Sequence, residues 1–202
     1  MRLHMNLASL GLVTLIAGAC SDDGAGGGNE GEVITTVTLS FVAAGVAPVT
    51  ASFDDLDGDG GDPPIIDPIN LANGTTYTTL VRLLNKLEDP PEEITLEVAD
   101  ESDEHQLFFT GTAVNGPASD QPGAPLTHAY ADADGNGLPI GLTNTFVAAT
   151  GSGQLTLTLR HLPPVNDTPT KTADLAAQVK TGGFASVGGE TDVSVSFMAT
   201  VQ

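Results

Sequence analysis

The chain has 202 residues, with 6 Lys and Arg against 26 Asp and Glu, and its formal net charge at pH 7 is −20. A surface this acidic repels a polyanion, which excludes a nucleic-acid binder and favours cations as partners. Apolar residues make up 40% and charged residues only 16%, so the acidity reflects a scarcity of Lys and Arg in a foldable chain rather than a disordered polyelectrolyte. The single Cys can form no disulfide within the chain, and a chain of this length needs none to build a core.

Arg2 and His4 give a short basic start, and an apolar run from Leu7 ends in Ile16-Ala17-Gly18-Ala19-Cys20. The run is too short to span a bilayer, and small residues before Cys suit a signal peptidase groove. This segment resembles a bacterial lipoprotein signal, although Ala17 stands where that pattern prefers Leu. The resemblance implies that residues 1–19 are removed and that Cys20 becomes an acylated N-terminus; the alternative is a free thiol in an ordinary secreted protein. Each buried lipid methylene contributes about 0.8 kcal/mol, so more than one chain gives a firm anchor. Residues 20–31 then form a Gly-rich acidic tether with no apolar residue larger than Ala, a composition that favours flexibility. Acids soon after the Cys resemble the export signal of surface lipoproteins, and the expected location is the outer membrane, lipid-anchored and surface-exposed.

From Glu32 onward β-branched and apolar residues alternate with polar ones, broken by Gly, Pro, Asn and Asp, the signature of half-buried strands. Strands are expected around Val37 to Phe41, Val49 to Phe53, Tyr77 to Leu84, Leu107 to Phe109, Ala129 to Ala131, Phe146 to Val147, Leu155 to Leu159 and Val193 to Val201. The expected fold for 32–202 is a single all-β domain: a two-sheet antiparallel sandwich, Ig-like or Greek-key, of 7–8 strands with one short acidic helix. The helix is expected within Pro90 to Asp103, where acids follow Pro90-Pro91 and Ile94 and Val98 stand four apart. Ile94, Leu96 and Val98 also alternate, which leaves a strand as the other reading. Long connections run from Thr112 to Pro125 and over 162–190, the latter with a helical turn expected at Asp174 to Lys180.

Of the 26 acids, 15 lie in 54–67 and 88–104, where their mutual repulsion is relieved by bound cations or by salt. Asp55, Asp57 and Asp59 spell D-x-D-x-D-G with Gly60, and Asp132, Asp134 and Asn136 spell D-x-D-x-N-G with Gly137. Both match the opening half of a calcium loop, whose alternate oxygens converge on one ion. The bidentate Glu of such a loop is missing, since Ile66 and Thr143 stand at the twelfth positions, and a plain turn is the competing reading. His105 and His161 fall on the apolar faces of their strands, the usual place of a hydrogen-bonded core histidine. Glu101 and Glu104, four and one residues before His105, make the set Glu101, Glu104, His105 and His161 a candidate for a transition metal; His128 is a weaker one. The cofactor expectation is therefore Ca²⁺ or Zn²⁺. No G-x-S-x-G, H-E-x-x-H or phosphate-binding Gly loop occurs, and with no Trp and 4% aromatic residues the carboxylates do not suggest a sugar cleft.

Glu32-Val33-Ile34-Thr35-Thr36-Val37, Phe53-Asp54-Asp55-Leu56-Asp57-Gly58-Asp59-Gly60-Gly61, Asp103-Glu104-His105-Gln106, Asp134-Gly135-Asn136-Gly137, Leu157-Thr158-Leu159-Arg160-His161 and Gly188-Gly189-Glu190-Thr191-Asp192-Val193 together resemble a family of short bacterial outer-membrane or surface lipoproteins of unassigned function. Some of its members carry the label "type 1 periplasmic binding fold superfamily". That label describes two α/β lobes, whereas this sequence shows no β-helix-β repeats. The expected function is a non-enzymatic, membrane-anchored lipoprotein that binds divalent cations through its acidic loops as accessory to an outer-membrane receptor. The alternative is a structural or adhesive β module without a specific ligand.

Overall fold

The computed structural model describes residues 32–57 and 61–202. The signal segment 1–19, Cys20 with its tether, and Asp59 lie outside the described residues. Eight longer strands arise where alternation places them: β1 (Thr36–Val42), β2 (Val49–Asp54), β5 (Thr76–Leu84), β6 (His105–Thr110), β8 (Leu126–Tyr130), β9 (Thr143–Ala148), β10 (Gly151–His161) and β11 (Glu190–Val201). Three more, β3 (Ile65–Ile66), β4 (Ile69–Leu71) and β7 (Val114–Asn115), are too short to leave a periodic trace. One sheet has the order β3-β2-β1-β5-β9-β8-β7 and the other β4-β11-β10-β6.

Purely antiparallel pairing is corrected at two edges: β7 runs parallel to β8, and β4 parallel to β11. The cause is local. Only Asp67-Pro68 separates β3 from β4, so the chain passes directly from the first sheet into the second, and the residue before a proline is held extended. β7 reaches β8 through an irregular loop of ten residues, 116–125, long enough to bring the chain back in the same direction.

The core lies between the sheets. Val37, Leu39 and Phe41 from β1 meet Leu155, Leu157 and Leu159 from β10 and Val193, Val195 and Phe197 from β11, all buried in one cluster. The few aromatic residues concentrate here: the Phe109 ring of β6 stands edge-on to Phe146 of β9 at 5.4 Å, and Phe146 in turn lies 6.0 Å from Phe41. The inward face of β8 carries Leu126 and His128, while Ala129 is exposed; this reverses the face expected from Ala129 and Ala131, because an imidazole is apolar enough to stack on Phe109 and Phe146.

Helix α1 (Ile94–Asp100) forms in the acidic segment and buries Ile94 and Val98, leaving Leu96 65% exposed; the i, i+4 pair therefore prevails over the alternation. Thr95 Oγ1 accepts the Leu83 N–H at 2.8 Å, so the helix is tied to β5 of the first sheet. Its C-terminal turn leads into β6 of the second sheet. A second helix, α2 (Leu175–Gly182), covers the outer face of the β6 sheet, where Leu175, Ala176 and Val179 pack with Phe108, Ala118 and Leu162. The free edge of β6 is covered as well: the Leu107 N–H donates to the Ile140 carbonyl at 2.7 Å. This approach requires Gly141, whose φ is +94° and where a Cβ would stand 2.8 Å from the Leu107 Cβ.

His128 is 3% exposed, its Nε2 paired with Asn144 Oδ1 at 2.9 Å and its Nδ1 without a partner. Burial holds its pKa down at about 4 against 6.5 for a free imidazole. The unfolded chain therefore takes up a proton that the fold refuses. The stability this gives is present above pH 6.5 and is lost as the pH falls toward 4, by on the order of 3 kcal/mol. Urea unfolding at pH 7 and pH 4.5 should show a smaller loss in His128→Gln than in the unsubstituted protein.

Candidate metal centre

His105 opens β6 and His161 closes β10, and the two are direct partners in the antiparallel pairing. Both lie on the inward phase of their strands, so the register stacks their rings, with centroids 4.5 Å apart and planes 11° from parallel. His105 is 0% exposed and His161 7%. Helix α1 ends four residues before His105, and this places Glu101 Oε2 4.0 Å from His105 Nδ1. The Glu101 carbonyl lies 3.2 Å from the same nitrogen. When Nδ1–H donates to that carbonyl, the lone pair is left on Nε2, which is buried and has no hydrogen-bond partner; an imidazole oriented by a backbone carbonyl is the usual form of a metal ligand. One ligand atom each from Glu101, His105 and His161 lie within 4.8 Å of one another, a group that could hold a metal ion.

Acids surround this group. Glu104 Oε2 stands 3.6 Å from His161 Nε2, and Glu104 also lines a surface cleft with Asp103, Leu162, Pro164, Asp167 and Pro169. Glu32 and Glu97 stand side by side, and burial first, then the neighbouring carboxylates, raises the pKa of both. Burial likewise raises Asp192 to about 6, against the lowering effects of the His161 charge, the Glu32 backbone N–H and Arg160. Neither Asp192 oxygen makes a hydrogen bond of ordinary geometry. The His105 pKa is lowered, first by its burial, which favours the neutral form that binds metals. Of the sequence candidates, Glu101, His105 and His161 form one group, and Glu104 stands beside His161. Asp192 and Glu32 stood in the sequence only inside the stretches of family resemblance, and Glu97 only among the acids of 88–104, none of them singled out as a ligand.

The two calcium-loop candidates are arranged differently. In 132–137, Asp132 Oδ1 and Oδ2 accept the Gly141 and Thr143 N–H groups, both at 2.7 Å. Asp134 Oδ1 accepts the Asn136 and Leu138 N–H groups, and its Oδ2 faces Lys171 Nζ at 2.9 Å. The cation at this loop is a buried lysine ammonium, which also donates to the Ser102 carbonyl. In the other loop, Asp54 pairs with Lys86 and Thr36, and Asp57 accepts the Asp62 N–H at 3.2 Å. Asp54, Asp55, Asp57 and Asp62, with Ile65, line an open acidic depression.

Comparison with protein-family models, curated proteins and solved structures finds no match. The described chain is a largely β, two-sheet protein with two buried histidines and the exposed Glu101 grouped at one end of its core.

Two outcomes are expected. Lys171→Met leaves the Asp134 carboxylate buried without its counter-charge and should destabilise the fold by about 3–5 kcal/mol in denaturant titration. Asp192 has its pKa raised by folding, so the stability it contributes is full below about pH 4 and lost as the pH rises through 6. Asp192→Asn should accordingly be more stable than the unsubstituted metal-free protein at pH 7, and the difference should vanish near pH 4.

Proposed function

We propose that the protein is a non-enzymatic, lipid-anchored surface lipoprotein that binds one divalent transition-metal ion, of the Zn²⁺ class, through Glu101, His105 and His161. The observation that carries this reading is the stacked pair of buried imidazoles with a carboxylate ligand atom in reach. Imidazole nitrogen suits borderline metals such as zinc and copper, whereas Ca²⁺ takes oxygen ligands alone. Glu101, whose side chain is 56% exposed, gives an ion a route from solvent, and the net charge of −20 concentrates cations at the surface. Anchoring through Cys20 in the outer membrane and an accessory role beside an outer-membrane receptor complete the proposal; these rest on the leader and on the resemblance to surface lipoproteins. The Ig-like or Greek-key description of the two sheets belongs to the same reading.

A structural or adhesive module is the second reading, favoured by the side-chain hydrogen bonds Thr156–Ser196 and Thr158–Ser194, which brace β10 and β11 without any ligand. The two readings separate in equilibrium dialysis of the purified chain against Zn²⁺ and Ca²⁺. The metal reading expects one Zn²⁺ per chain with a Kd of about 1 μM or tighter, lost in His105→Ala and in His161→Ala. Zinc binding no tighter than about 1 mM overturns it.

A further inference from the structure

Glu101, His105 and His161 offer three ligand atoms, whereas a zinc-type ion held by protein alone takes four in a tetrahedron. An irregularity in β11 sets a further carboxylate two residues from the ladder partner of His161, near enough for the His161 charge to act on it. Pairing of β10 with β11 runs Leu159 to Val193 and then Arg160 to Thr191, so Asp192 is an extra residue with no partner across the ladder; His161 follows opposite Glu190. Such a bulge releases a side chain from strict in-and-out alternation, and bulges recur beside functional sites. Both Asp192 oxygens are buried and lack a hydrogen bond of ordinary geometry. Arg160 acts on them only through its charge, because its guanidinium donates to Thr191 Oγ1 and to the Gly188 and Gly189 carbonyls. A carboxylate buried in this way is costly to the fold unless something compensates it. His105 Nε2, fully buried and also without a partner, is a second group in the same state, of complementary use to a cation.

We propose that Asp192 is the fourth ligand of the metal centre, completing a set of two imidazoles and two carboxylates drawn from the α1–β6 turn, β10 and the bulge of β11. This rests on the reading of Glu101, His105 and His161 as metal ligands and names what closes that site. The two buried groups that lack a hydrogen bond of ordinary geometry then have one explanation: each is an open valence toward the same ion. Because the two nitrogens come from strands fixed by their register and the Asp192 oxygen from a bulge, three of the four donors are built into the second sheet and only Glu101 comes from a turn. Such a site selects a small tetrahedral dication over Ca²⁺.

The test compares the full chain with Asp192→Asn, Asp192→Ser and Glu104→Gln, using Zn²⁺ alone for affinity and Co²⁺ alone as a spectroscopic probe, with metal-free thermal unfolding as the control. A four-coordinate Co²⁺ site absorbs far more strongly in the visible than a five- or six-coordinate one. The expected result is a loss of Zn²⁺ affinity of at least about tenfold in both Asp192 variants, a weakened Co²⁺ band, and a metal-free unfolding midpoint at or above that of the unsubstituted protein in Asp192→Asn. Unchanged affinity and band in the Asp192 variants overturn the proposal while leaving the three-residue centre standing. So does a loss confined to Glu104→Gln, which gives the fourth position to Glu104, or a loss of affinity matched by a lower metal-free midpoint, which makes Asp192 structural. Failure of the unsubstituted chain to bind Zn²⁺ or Co²⁺ overturns the underlying metal reading itself.

Discussion

The edge-on contact between Phe109 of β6 and Phe146 of β9 joins the two sheets at the centre of the core, and the remaining large side chains pack around it. With aromatic residues at 4% of the chain, few large side chains can fill an inter-sheet space, and they are gathered at its centre with Phe41, Tyr77 and His128. Toward the other end of β6 the filling passes to aliphatic and imidazole side chains. Ile94 and Val98 of α1 enter the core there, and Leu107 and Leu159 lead to the stacked His105 and His161. The histidine pair stands where the packed core gives way to the acidic α1 segment, so its two rings meet hydrocarbon on one side and carboxylates on the other.

Charge is organised by the same scarcity. The described part of the chain holds five Lys and Arg, and four of them face a named carboxylate: Arg82 with Glu93, Lys86 with Asp54, Lys171 with Asp134 and Lys180 with Asp120. Arg160 instead ties down the 188–191 segment through carbonyl and hydroxyl oxygens. No lysine or arginine makes an ion pair with Glu101, Glu104 or Asp192 among the described residues. The contrast with the 132–137 loop is instructive. There a D-x-D-x-N-G sequence folds its oxygens onto backbone N–H groups and one ammonium, a self-sufficient turn; at the histidines, carboxylates and an imidazole nitrogen are left with unmet capacity.

The strands and the helix were legible because their signals are local. Val37, Leu39 and Phe41, or Leu155, Leu157 and Leu159, announce one buried face each, and Ile94 with Val98 announces a helix once Leu96 is allowed to face water. The same periodicity placed His105 and His161 inside, and the four-residue spacing of Glu101 and His105 survived the change from helix to strand. What alternation could not reveal was any event that breaks it. The bulge that sets Asp192 apart is a mismatch between two strands some thirty residues distant in sequence, invisible in either strand alone. β3, β4 and β7 hold two or three residues each, too few to show an alternation, and the parallel pairings of β4 and β7 depend on where the chain is returned. Lys171 reaches Asp134 from a Pro-rich connection with no regular pattern, so the calcium-like spelling of the loop could be weighed only once its partner was in place.

The pairing of His105 with His161 has one more consequence. Those residues are 56 positions apart in a chain with a single Cys, so the ladder between β6 and β10 closes a long loop that no covalent bond secures. An ion shared by the two imidazoles would act on the unfolded ensemble as a cross-link does, removing loop-closure entropy equivalent to about 4 kcal/mol for a loop of that size. Its grip would be reversible, withdrawn by a chelator or by acid rather than by a reductant, giving a protein without disulfides a fastening that answers to the composition of the surrounding medium.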